Sequence, residues 1–142
     1  MDEEIAALFS AGKASLVLKK DGALIYQTFG RGISPALELL DRHPELLRGA
    51  EVYDLIVGKA AASLFILGGA VSVSALTMSE SAVRLLEKYG VPCTCQTLAP
   101  QIINRTGTGL CPFEQAVLEL ETPAVCLPVI RQTLLNIKNG GH

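Results

Sequence analysis

The sequence predicts a three-layer α/β domain with helices on both faces of a sheet, and three observations carry that prediction. Strand-like runs alternate with helix-like runs after an opening hairpin signal. Glycine, proline and Asp-Gly punctuate the boundaries between those runs. Apolar residues make up 49% of the chain against 18% charged, which calls for elements buried on more than one side. With 142 residues, the chain fits one domain over 1–142, long enough for a hydrophobic core without disulfides or metal.

Each element has a local reason. An acidic start suggests a short first helix. Ser15-Leu16-Val17-Leu18 and Leu24-Ile25-Tyr26-Gln27-Thr28-Phe29 read as strands joined through Asp21-Gly22, a strong hairpin signal. Ser34-Pro35 predicts a helix start, a side-chain cap followed by proline; His43-Pro44 breaks that helix and Gly49 closes the next turn. From Val52 to Leu67 the chain is apolar almost all round, which predicts one central helix stopped by Gly68-Gly69. A strand over 71–76, a helix over 79–89 and a strand over 92–98 follow. Thr77 and Glu80 have the spacing of a capping box. Two helices close the chain, 111–120 and 122–138, the second capped by Thr122-Pro123 and expected to kink at Pro128.

Composition excludes several functions. A formal net charge of −2 with scattered Lys and Arg offers no electrostatic footprint for nucleic acid. The acidic N-terminus lacks the basic and apolar segments of a signal peptide. Residues 60–79 carry no charge, but Gly68-Gly69 divides them and the second half alternates like a strand, so no membrane span is expected. The protein therefore reads as cytoplasmic, with its four cysteines as reduced thiols. Cys93 and Cys95 share a strand face, Cys126 reads as core, and no cysteine–histidine spacing suits structural zinc.

Asn-Arg-Thr-Gly-Thr-Gly-Leu-Cys-Pro-Phe-Glu, 104–114, is the stretch least like scaffold. Gly107 and Gly109 free the backbone. Asn104, Thr106, Thr108 and successive N–H groups could cradle an anion before a helix start, with Arg105 as a forked partner for phosphate or carboxylate. The competing reading is a well-capped turn. Cys111 precedes Pro112 at a predicted helix cap, where backbone N–H groups favour a thiolate nucleophile. The alternative there is a buried thiol acting as a small hydrophobe. Glu114 reads as a favourable first-turn carboxylate.

Val57-Gly58-Lys59-Ala60-Ala61-Ala62 and the 104–114 stretch, with the element order, resemble an uncharacterised bacterial family, a domain of unknown function grouped by fold with the cytidine deaminases. The resemblance covers nearly the whole chain. It implies a cytidine deaminase-like fold (N-terminal hairpin, alternating helices and strands, two C-terminal helices) and no activity. Zinc deaminases carry His-x-Glu and Pro-Cys-x-x-Cys at two helix starts. By element order those places hold Gly58-Lys59-Ala60-Ala61 and Thr77-Met78-Ser79-Glu80-Ser81, which offer no soft zinc ligand, and Ala61 cannot shuttle a proton. Deamination by the zinc route is therefore excluded, and no metal or cofactor is expected.

In that fold Lys59, the only charge from Leu55 to Leu67, faces the pocket at the carboxyl edge of the sheet; otherwise it is a stem covering apolar surface. Ser79 or Glu80 could line the same pocket. The expected function is binding of a small anionic, nucleotide-like metabolite between Lys59 and the 104–111 loop. One alternative is a transferase or hydrolase with Cys111 as catalytic nucleophile; another is an interaction module forming a homo-oligomer.

Overall fold

The computed structural model describes residues 2–30, 32–104 and 106–140. Helix α1 (Glu3–Ser10) starts at Asp2, whose carboxylate accepts from the N–H of Glu4 at 2.9 Å and pairs with Lys19 Nζ at 2.6 Å. Strands β1 (Leu16–Lys20) and β2 (Ala23–Thr28) form the predicted hairpin. Asp21 and Gly22 have φ of 50° and 81°, the left-handed pair that a two-residue turn between right-twisted strands requires.

Helices α2 (Ser34–Arg42) and α3 (Pro44–Leu47) follow. Ser34 is not the cap expected of it. The chain enters α2 through Ile33, whose carbonyl accepts from Leu37 N, and no side chain caps the start.

The central helix predicted over 52–67 is two elements. Strand β3 (Glu51–Val57) pairs antiparallel with β1 and parallel with β4 (Ser72–Ser79), and helix α4 (Lys59–Gly68) begins after the extended Gly58. Val52, Tyr53, Ile56 and Val57 suit a pleated, half-buried surface. The sequence pattern merged the two because a strand with apolar residues on both faces, running into a buried helix, gives one nearly continuous apolar run.

Strand β4 (Ser72–Ser79), helix α5 (Glu80–Lys88) and strand β5 (Cys93–Ala99) complete a mixed sheet of order β2-β1-β3-β4-β5, with β3, β4 and β5 parallel. The Thr77 capping box does not form. Thr77 stays in the β4 ladder opposite Ile56 and Thr97, and Ser79 caps α5 instead, accepting from Ala82 N at 3.1 Å. Ladder pairing on both sides of β4 outweighs one local side-chain bond. Cys93 and Cys95 pack on the main core from one strand face, and Cys126 is fully buried in it.

Helices α6 (Pro112–Val117) and α7 (Pro123–Lys138) end the fold. Thr122 caps α7 as predicted, accepting from Val125 N at 3.3 Å, and α7 runs unbroken through Pro128. Helices α2 to α7 cover one face of the sheet around Leu39, Phe65, Leu86 and Ile130, while α1 alone packs Ile5 and Phe9 on the other face, against Val17, Tyr53 and Leu55. The result is a three-layer-like α/β domain of five strands and, among the described residues, seven helices. No helix among those residues is long and apolar enough to cross a membrane.

Candidate functional site

Because β3, β4 and β5 are parallel, their carboxyl ends share one rim, and the starts of α4 and α5 and the segment after β5 gather there. Ligands of open α/β sheets collect at that edge.

Gly58 supplies no side chain to cap α4. The cap arrives from 55 residues away: Glu114 Oε1 accepts from Lys59 N at 2.7 Å and Oε2 accepts from Ala60 N at 2.9 Å. Both bonds are charge-assisted and satisfy donors that a helix start leaves free. A Cβ at residue 58 would collide with that carboxylate, so the glycine is there for the approach. Glu114 is only 7% exposed. Burial pushes its carboxyl above the ordinary range, opposed by the two N–H groups and by the Lys59 charge. Its role is thus larger than the first-turn carboxylate read from sequence.

Two cavities adjoin across Glu114 and Ile102. The smaller, about 110 Å³, is lined by Lys59, Ser81, Arg84, Gln101 and the loop-base residues Ile102 and Leu110. Lys59 Nζ donates to the carbonyl of Leu118 at 3.2 Å, and among the described residues neither Lys59 nor Arg84 is ion-paired. Ser81 stands in α5 beside Ser79, whose own hydroxyl is fully buried and occupied by capping. Glu80 is exposed and lines neither cavity. Ser81 and Arg84 thus stand where Ser79 and Glu80 were expected.

The larger cavity is a groove of about 1560 Å³ between the end of β3, the start of α4, the 102–114 segment and the second half of α7. Asn104, Thr106 and Cys111 line it, whereas Lys59 does not. The structure therefore brings Lys59 to the base of the loop and leaves the loop tip in the neighbouring groove.

The loop itself is a small hairpin. Ile103 bridges Leu110, Asn104 N donates to Gly109 O at 2.8 Å and Cys111 N donates to Ile102 O at 2.9 Å. Asn104 Oδ1 accepts from Thr108 N and from Thr106 Oγ1, both at 3.1 Å, and the two threonine hydroxyls lie 2.8 Å apart. Gly107 takes a φ of 72°, while Gly109 needs no such freedom. The hydroxyls expected to hold an anion hold the turn. Arg105 lies outside the described residues. Cys111 is the half-buried N-cap residue of α6, and its thiol makes no capping bond.

Asp54 escaped the sequence reading. It projects from β3 into the groove, opposite Leu16 and Ala75 in the neighbouring strands. Its Oδ1 accepts from Leu55 N at 2.8 Å. Burial pushes its carboxyl up to about 7, opposed only by the N–H groups of Leu55 and Ile56. The available signal was an acid set in the otherwise strand-like run Val52-Tyr53-Asp54-Leu55-Ile56-Val57.

A mixed α/β domain with paired cavities at the carboxyl rim of its parallel strands is the class that these observations define. The chain belongs to the TM1506 family, described as a domain of unknown function (DUF1893), which it matches over residues 4–134. It is similar to the crystal structure of a DUF1893 family protein (TM1506) from Thermotoga maritima, with a TM-score of 0.79 and 28% sequence identity over 96% of this chain and 92% of that one. No curated protein matches the sequence.

Proposed function

We propose that the chain is a zinc-free, cytidine deaminase-like domain that binds a small anionic, nucleotide-like metabolite, with the anionic end beside Lys59. One observation carries the reading: Lys59, Arg84 and the Ser81 hydroxyl line a single pocket of about 110 Å³ at the rim where α/β ligands gather. That volume suits a phosphate- or carboxylate-sized group, for which a lysine and a forked arginine are natural partners.

The deaminase comparison supports the reading through element order. Helix α4 starts at Lys59 and α5 at Glu80, the two places where zinc deaminases carry their ligands. Lys59, Ala60, Ala61, Ser79 and Ser81 do not fit a zinc ion. The carboxylate at the start of α4 belongs to Glu114 and is occupied by capping.

Thermal shift and calorimetric titration with inorganic phosphate and nucleoside monophosphates test the proposal. Binding should weaken tenfold or more in Lys59→Ala and in Arg84→Ala, each removing a charged partner at about 1.5–3 kcal/mol. No response to either probe class, or full retention in both variants, overturns it. A second reading takes Cys111 as the nucleophile of a transferase or hydrolase, favoured by its uncommitted thiol on the groove wall; alkylation as slow as that of Cys126 would end it. A homo-oligomer would instead cover the exposed Phe29, Ile56 and Ile103 at the groove, and sedimentation distinguishes it.

A further inference from the structure

We propose that the large groove is a second ligand site, which takes an apolar body bearing a protonated amine or amidine with the Asp54 carboxylate as its counter-ion. The proposal does not rest on the anion pocket.

Charge complementarity is the first argument. The described residues lining the groove include two carboxylates, Asp54 and Glu114, and no Lys, Arg or His. Glu114 is already matched by two N–H groups at the start of α4. Among the described residues Asp54 has only backbone N–H donors from Leu55 and Ile56, and no buried polar side-chain atom lacks a partner. Asp54 is only partly buried and lines the groove, so its carboxylate can be reached from it. An acid kept in low-dielectric surroundings without a cation works against folding. It is explained if a cation arrives with a ligand.

Shape is the second argument. The apolar lining includes Leu16, Ala61, Phe113 and Leu134, and polar groups such as Asn104, Cys111 and Asn136 are set among them. A large, mostly apolar cleft with few convergent polar groups is the usual form of a small-molecule site. Among the described residues, the other titratable groups lining the groove are Glu114 and Cys111; β1 and β4 present Leu16 and Ala75 opposite Asp54, and α7 lines the groove with Thr133, Leu134 and Asn136.

Binding of a cation holds Asp54 ionised, so complex formation releases a proton wherever the free acid is protonated. Its carboxyl sits up at about 7, so amine affinity should rise about tenfold per pH unit below that value and level off above it.

The test is calorimetric titration of the whole chain with phenethylamine and with neutral 2-phenylethanol, from about pH 5 to about pH 8, in buffers of differing ionisation heat. Phenethylamine should bind more tightly than the alcohol above neutrality, with proton release and the stated slope below it. The alcohol should show no slope. Asp54→Asn should abolish the amine's advantage and leave alcohol binding intact, while Lys59→Ala and Arg84→Ala should change neither. Equal or absent binding of the two probes at every pH, or an amine preference that survives in Asp54→Asn, overturns the proposal. Should Asp54→Asn fail to fold, the slope and proton release of the unmodified chain decide alone, and a flat amine profile is refuting.

Discussion

Replacing Asp54 by asparagine should stabilise the protein, by an amount that grows as pH rises from 3.8 to about 7 and is full at neutral and alkaline pH. The side chain keeps its shape and its acceptor for Leu55 N–H, so the change removes mainly a charge. The carboxyl is raised in the folded state from 3.8 to about 7. Between those values the folded chain holds a proton that the unfolded chain releases, so stability falls as pH rises through the window. The loss is complete above about 7, where both states are ionised. The ceiling is about 4 kcal/mol, from about 1.4 kcal/mol per unit. Water entering through the groove lowers it, and about 2–4 kcal/mol is expected. Urea unfolding of both proteins from about pH 4 to about pH 9 reads the difference directly. The two should agree at the acid end and diverge up to neutrality, with Asp54→Asn the more stable. A difference that does not vary with pH would refute the reasoning, since no other residue changes between the two proteins.

Two further outcomes follow from the helix starts. Gly58→Ala and Glu114→Ala each break the same contact, one by collision and one by deletion, so each should cost about 2–3 kcal/mol in urea unfolding. The double variant should cost much less than their sum, and additive costs would show that Glu114 is not the cap of α4. Ser79→Ala should cost about 1 kcal/mol through loss of the α5 cap. Thr77→Ala at the same helix start should leave the cap in place, so a larger loss from Thr77→Ala would restore the capping box.

What could be read from the sequence was local. The Asp21-Gly22 turn and the Thr122-Pro123 start act through bonds to near neighbours, and both form as their residues dictate. Strand β3 could not be separated from α4 because both of its faces carry apolar residues, which leaves little alternation to mark a strand. The site illustrates the same division. Lys59 was legible as a charge in an apolar run, but its distance from the loop tip was not, because the loop turns its hydroxyls on itself. Glu114 is buried and Asp54 half-buried, and the packing that raises both carboxyls is not written near them in the chain. Glu114 is matched by donors 54 and 55 residues away, so its burial has a structural cause and needs no ligand. Asp54 accepts only from N–H groups beside it in β3, those of Leu55 and Ile56, where no helix start needs a cap, so capping cannot account for it. The contrast assigns one acid to architecture and directs the search for function to the other.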